Sequence, residues 1–266
     1  MKIGFIGTGN MGGALARAAA KGGHTLLLAN RTPAKAAALA KELGGTVCPN
    51  VEAAETAELL FLGVKPQGLP GLAGELAPVL QARRGNAPVV VSMATAVTLR
   101  ELDAMLGGGL PLIRIMPNTP AAVGAGTILY AAQNVTDAQL NAFRAVLAQA
   151  GLLLPLPEAQ INAASAISGC GPAFCFQFAD ALALGGVRAG LSYPDACRLA
   201  AQTMLGAAEM LLQGGEAPDV LKMRVCSPAG TTIEGVLALE QGGFSYTVQN
   251  AVTAAYRRTV EMTKKG

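Results

Sequence analysis

Between Met1 and Pro157 the chain alternates short leucine- and valine-rich runs with alanine-rich stretches whose charges recur at helical spacing. The apolar runs predict strands over Lys2–Ile6, Thr25–Ala29, Leu59–Val64, Val89–Ser92 and Leu112–Ile115, with two more over Thr127–Ala131 and Leu152–Pro155. Helices are predicted between them. Such alternation implies a doubly wound α/β architecture, a mostly parallel sheet covered on both faces. From about Glu158 the strand signals stop. Helices are predicted over Ala159–Val187, Pro194–Gln213, Pro218–Val225, Thr231–Gln241 and Tyr246–Lys264. Ser192-Tyr193-Pro194-Asp195 has the form of a helix start, and Gly214-Gly215 and Gly242-Gly243 the form of stops. The expected organisation is an α/β domain over residues 1–157 and an all-α domain over 158–266, divided near Pro157.

On the helix from Pro194 to Gln213 the polar residues Arg198, Gln202, Glu209 and Gln213 form one narrow stripe, and almost everything else is apolar or small. Five helices rarely hide that much apolar surface, so a homo-oligomer built through this half is expected. Composition sharpens the picture only where it excludes. Hydrophobic residues are 52% of the 266 and charged ones 14%, far from disorder. No uninterrupted apolar run reaches membrane-spanning length, because Gln149, Gln177 and Asp180 break the greasy stretches. A net charge of +3, with basic pairs only at Arg83-Arg84, Arg257-Arg258 and Lys264-Lys265, is too small for a nucleic-acid footprint. Neither nucleic acid nor membrane is therefore an expected partner. The start Met-Lys-Ile-Gly-Phe-Ile-Gly reads as a strand entering a glycine turn, which makes the cytoplasm the expected compartment. Cys48, Cys170, Cys175, Cys197 and Cys226 contain no Cys-x-x-Cys pair and read as reduced thiols, with no metal expected. His24 is the sole histidine and falls in a loop after Gly22-Gly23. Any chemistry must work without histidine.

Gly7-Thr8-Gly9-Asn10-Met11-Gly12 follows the first strand directly and opens a helix over Met11–Lys21. Strand–turn–helix context turns this common glycine pattern into a dinucleotide fingerprint, marking a Rossmann domain: the turn lets the backbone approach a pyrophosphate, which rests on the helix N-terminus. Gly7, Gly9, Asn10, Met11 and Gly12 are the cofactor-binding candidates there. An NAD site usually carries an acid at the end of the second strand; this chain has Asn30-Arg31-Thr32. A guanidinium and a hydroxyl suit a 2′-phosphate, so NADP is expected, with NADPH preferred over NADH. Alternatively these residues only cap the next helix. Val64-Lys65-Pro66 and Met93-Ala94-Thr95 end two further strands, where ligands of open α/β sheets bind, and Asn50 is included with them. Lys65 is either a surface charge or a contact to nicotinamide or substrate.

In the helical half, Ser168-Gly169-Cys170-Gly171-Pro172-Ala173-Phe174 is a run of small residues that permits close approach to a cofactor. Ser227-Pro228-Ala229-Gly230-Thr231-Thr232 leads a Pro/Gly loop into a helix; its free N–H groups and hydroxyls form an anion hole or an ordinary cap. Together with Phe61-Leu62-Gly63-Val64-Lys65-Pro66-Gln67, Arg114-Ile115-Met116-Pro117-Asn118-Thr119-Pro120 and the run from Cys226 to Phe244, these motifs make the chain resemble pyrroline-5-carboxylate reductases from end to end. Small departures are Ala229, where the family often has glycine, and Cys170, often serine or another small residue.

The resemblance implies reduction of 1-pyrroline-5-carboxylate to L-proline with NAD(P)H, the last step of proline biosynthesis. It also implies an interlocked dimer through the C-terminal helices, dimers assembled into decamers, and an active site that includes the partner's helices. Ser227, Gly230, Thr231 and Thr232 become the substrate-binding set, with Thr232 beside the ring nitrogen and Lys65 and Thr232 as the catalytic candidates. Three other readings stay open, one of them a reductase of some other imine. A β-hydroxyacid dehydrogenase shares the layout but carries a catalytic lysine on the first interdomain helix, and Ala173–Val187 contains none. A non-catalytic NADPH-binding protein would not need the Thr232 loop.

Overall fold

The computed structural model describes residues 1–263. They group into two compact units, one comprising Met1–Gly169 with the chain from Tyr256, the other Cys170–Ala255.

The first unit contains strands β1 (Lys2–Ile6), β2 (Thr25–Ala29), β3 (Thr46–Val47), β4 (Leu59–Leu62), β5 (Val89–Ser92), β6 (Leu112–Met116), β7 (Gly126–Gln133) and β8 (Gly151–Pro155). They form one eight-stranded sheet in the order β3-β2-β1-β4-β5-β6-β7-β8. Every neighbouring pair is parallel except β6 and β7. The helices are α1 (Asn10–Ala20), α2 (Pro33–Leu43), α3 (Asn50–Thr56), α4 (Leu69–Ala82), α5 (Leu99–Met105), α6 (Asp137–Leu147) and α7 (Glu158–Ser168). Alternate strand residues feed two cores. Ile6, Leu60, Leu62, Val90 and Leu112 join Leu69, Leu72 and Leu76 of α4 on one face. Ile3, Phe5, Phe61, Val91 and Ile113 join Leu15 of α1 and Phe143 of α6 on the other. Such strands are apolar on both faces, which is why they read as continuous hydrophobic runs. Phe5 and Phe61 are register partners and stack at 4.5 Å. Each large side chain buried this way stabilises the unit by about 1.5–3 kcal/mol.

A buried polar cluster attaches α7 to the sheet. Arg114 of β6, 3% exposed, donates to Glu158 Oε1 at 3.0 Å and to Asn162 Oδ1 at 3.1 Å. The same carboxylate oxygen accepts the Leu99 N–H that opens α5. Asn118 donates to the Ser168 carbonyl and accepts from the Thr127 N–H, both at 2.8 Å, so the loop after β6 is tied to both α7 and β7.

The second unit holds α8 (Gly171–Arg188), α9 (Tyr193–Gly214), α10 (Pro218–Val225), α11 (Thr231–Gln241) and the start of α12 (Phe244–Thr263). The single helix predicted over Ala159–Val187 is two, α7 and α8. The cause is Pro172 in the first turn of α8: a proline has no N–H to give the preceding turn and clashes with it, so it can start a helix but not continue one. The predicted end of the last helix at Lys264 lies outside the described residues. In α8 and α9 only Ala183, Ala196 and Ala200 are buried. A β-carbon on Gly186 would stand 3.1 Å from that of Ala196, so small residues set this close helix contact. Large apolar side chains stay open, with Phe176 70%, Leu199 57%, Met210 57% and Leu212 80% exposed. By length and composition Glu158–Arg188 could cross a membrane, with a mean hydropathy of 1.3 in its best window. It is broken at Gly169–Cys170, however, and α8 carries Gln177 and Asp180.

Candidate active site

The parallel register places the carboxyl ends of β2, β1, β4 and β5 side by side, with Ile6 opposite both Ala29 and Leu62, and Leu62 opposite Ser92. Strand order reverses between β1 and β4, where ligands of open α/β sheets bind. The chain leaves β1 through Gly7, whose φ of +99° a side chain would strain and whose added β-carbon would stand 2.5 Å from the Gly63 carbonyl oxygen. Gly12 has no room either, its added β-carbon colliding with the Gly7 carbonyl oxygen.

Gly9 is different. Nothing lies within 4 Å of where its side chain would be, so no packing inside the protein requires a glycine there. Gly9 caps α1 without a side-chain hydrogen bond, and the first turn of α1 carries no acid. The N–H groups of Asn10, Met11 and Gly12 are left free at this end of the helix, with the positive end of its dipole behind them, and the exposed Gly9 and Asn10 leave the approach to them open. Beside them Thr8 Oγ1 is buried without a partner. An open backbone cradle, unspent donors and an orphaned hydroxyl fit a bound pyrophosphate.

Beyond β2 lies a cleft of about 450 Å³ lined by Asn30, Arg31, Cys48, Asn50 and Glu75 among others. Arg31 is exposed and makes no hydrogen bond or ion pair among the described residues. Thr32 is the N-cap of α2 by position, but no side chain caps that helix. Asn50 begins α3, and its Nδ2 donates to Glu75 Oε2 at 3.0 Å. Burial pushes the Cys48 thiol up, with Glu52 adding to the shift, which leaves it a poor nucleophile. Across the sheet end, Gly63 N–H donates to the Ile6 carbonyl at 2.7 Å and Met93 N–H to that of Leu62 at 3.3 Å. These bonds carry the ladder past β4 and β5 and bring Val64, Lys65, Pro66, Met93 and Thr95 to the same edge, while the Ala94 side chain is buried in the core beneath it. Lys65 is exposed and unpaired among the described residues, and Ala94 N–H is held by Ser92 Oγ. Ala96, next in the turn, has a φ of +66°.

In the second unit the segment from Ser227 is a tight turn, with Gly230 N–H donating to the Ser227 carbonyl at 3.0 Å. A side chain on Gly230 would collide with Ser227 Oγ, and Ala229 sits at a φ of +54°. Gly230 caps α11 with no side-chain hydrogen bond, so Thr231 and Thr232 begin the helix with hydroxyls and N–H groups unspent. Unlike α1, this helix carries an acid, Glu234, in its first turn. Among the described residues no group of three or more His, Cys, Asp or Glu is placed to hold a metal, and all five cysteines are free. Sequence reasoning missed Thr8, a variable position of the fingerprint, and Glu75, which only the fold brings to the β2 cleft.

The chain is similar to known proteins along its whole length. A family model described as pyrroline-5-carboxylate reductase dimerisation matches residues 158–262, and one described as NADP oxidoreductase, coenzyme F420-dependent, matches residues 2–96. Pyrroline-5-carboxylate reductase 3 of Macaca fascicularis is 35% identical over 99% of this chain and 97% of its own. The pyrroline-5-carboxylate reductase structure from Coxiella burnetii superposes with a TM-score of 0.90 at 32% identity, over 97% of both chains. The pyrroline carboxylate reductase structure from Plasmodium falciparum, with NADP bound, gives 0.86 at 29% identity, over 99% of this chain and 98% of that one.

Proposed function

The chain belongs to the pyrroline-5-carboxylate reductase family, and from that premise we propose that it reduces 1-pyrroline-5-carboxylate to L-proline, closing proline biosynthesis. One observation carries this reading: relatives of that name align over essentially the whole chain, so the dinucleotide edge and the Ser227–Thr232 segment both fall inside the likeness.

NADP is the cofactor the residues fit, NADPH preferred and NADH usable. Gly7, Gly9 and the N–H groups of Asn10, Met11 and Gly12 hold the pyrophosphate; Asn30, Arg31, Thr32 and Asn50 hold the adenosine end. Val64, Lys65, Pro66, Met93, Ala94 and Thr95 border the nicotinamide end. When bound, the nicotinamide supplies the hydride. Ser227, Gly230, Thr231 and Thr232 receive the substrate carboxylate on N–H groups and hydroxyls, which needs no buried countercharge. An alkyl imine is basic enough to arrive protonated near neutrality, so the site must orient it rather than acidify it. The Thr232 hydroxyl oxygen accepts one hydrogen bond from the protonated ring nitrogen and fixes the face presented. Lys65 contributes charge toward cofactor or carboxylate. A histidine-free site is sufficient for this chemistry.

The open apolar faces of α8 and α9, together with the dimerisation model over residues 158–262, support a homo-oligomer. We take its unit to be a dimer and its full assembly a decamer. Five free thiols support a reducing compartment, the cytoplasm. Purified protein should oxidise NADPH only when pyrroline-5-carboxylate is present and form one proline per NADPH; no substrate-dependent oxidation would refute the proposal.

A further inference from the structure

Two opposite charges line the cleft beyond β2 without neutralising each other. Arg31 comes from the loop after β2 and Glu75 from α4, and no ion pair joins them among the described residues. Glu75 is held at the cleft by a neutral partner, since Asn50 Nδ2 donates to its Oε2 at 3.0 Å. An amide leaves the carboxylate charge uncancelled and its second oxygen free to accept.

In dinucleotide folds an acid at this cleft accepts from the ribose 2′-hydroxyl and repels a 2′-phosphate, and it usually stands at the end of the second strand. This chain has Asn30-Arg31-Thr32 there. Resting on the dinucleotide reading above, we propose that Glu75 supplies the missing acid from α4, so that cofactor choice is set by the opposition of Arg31 and Glu75. Arg31 draws the 2′-phosphate through charge-assisted hydrogen bonds. Glu75 repels it and accepts from a free 2′-hydroxyl, which keeps the unphosphorylated dinucleotide usable. The acid escapes any search confined to the stretch after the fingerprint, because α3 and α4 fold it back to the cleft.

Glu75→Gln removes the charge while its amide oxygen can still accept from Asn50. The whole protein is titrated calorimetrically with ADP-ribose and with 2′-phospho-ADP-ribose, neither of which can turn over. The affinity ratio should move toward the phosphorylated ligand by roughly three- to tenfold, less at high salt, as expected for one partly solvated charge acting on a phosphate. Arg31→Ala should move it the other way. An unchanged ratio in Glu75→Gln, or a shift toward ADP-ribose, overturns the proposal while leaving the dinucleotide reading intact. Wild-type protein that binds neither ligand overturns both.

Discussion

Alanine at Gly9 and alanine at Gly12 should do opposite things, though both lie in one fingerprint. At Gly12 the new methyl would collide with the Gly7 carbonyl oxygen, backbone against backbone, with no side chain able to yield. Overpacking costs about 1–3 kcal/mol, and this rigid contact belongs at the upper end. For a chain of this size that lowers the melting temperature by about 6–12 °C. At Gly9 the backbone has φ −72° and ψ −165°, which alanine adopts freely, and the space around the new methyl is empty. The loss of about 0.5–1 kcal/mol from replacing glycine by alanine at a helix cap is largely offset by about 0.4–1 kcal/mol from a less flexible unfolded chain. Gly9→Ala should therefore melt within about 2 °C of wild type. Its cost falls on the ligand, because the methyl occupies the space through which a pyrophosphate reaches the α1 N–H groups. Losing one hydrogen bond to a charged group costs about 1.5–3 kcal/mol, so NADPH affinity should fall roughly 10- to 100-fold. Melting without cofactor and calorimetric NADPH titration separate the two effects. Wild-type NADPH affinity in Gly9→Ala would show that nothing approaches that backbone, and wild-type melting of Gly12→Ala would refute the steric reasoning.

Four further outcomes are expected. Arg31→Ala should raise the NADPH KM and leave the NADH KM nearly unchanged; equal effects in steady-state kinetics would make Arg31 structural. Thr232→Ala should bind NADPH normally and lose kcat and kcat/KM together by roughly 10- to 1,000-fold, whereas Lys65→Ala should chiefly raise KM. A near wild-type kcat in Thr232→Ala would leave orientation to the Gly230–Thr231 backbone alone. Sedimentation at micromolar concentration should give a dimer or a multiple of it, and an active monomer would mean that the open faces of α8 and α9 serve something else.

What could be read from the chain was what is local. The β1 run, the glycine fingerprint and the α1 start are contiguous, and each is determined by neighbours a few residues away. The strands beneath the site were legible because burial on both faces leaves an unbroken apolar run. β3 is two residues long and carries no periodicity, and α3 is too short to show an amphipathic stripe, so neither could be seen. Joining α7 to α8 failed because the apolar spacing runs through Gly169 and Cys170, and one proline outweighs it. Glu75 and Thr8 were illegible for another reason. Their significance lies in what stands beside them in space, a cleft lined from five elements for one and an absence of partners for the other.

Backbone strain shows where this protein places its precision. Among the described residues, three that are not glycine have a positive φ, and one of them, Asn134, is of a type that tolerates it. The other two are alanines. Ala96 follows Thr95 at the cofactor edge, and Ala229 precedes Gly230 in the proposed anion loop. Each left-handed alanine costs about 1–2 kcal/mol, which persists only where the surroundings dictate the backbone. Both therefore sit in turns whose N–H groups must point in set directions. An enzyme with a strong general acid could tolerate a looser loop, since proton transfer would carry part of the barrier. A site that has no histidine and acts on an imine already protonated has only orientation to offer, and rigid turns around Thr95 and Gly230 are what orientation requires.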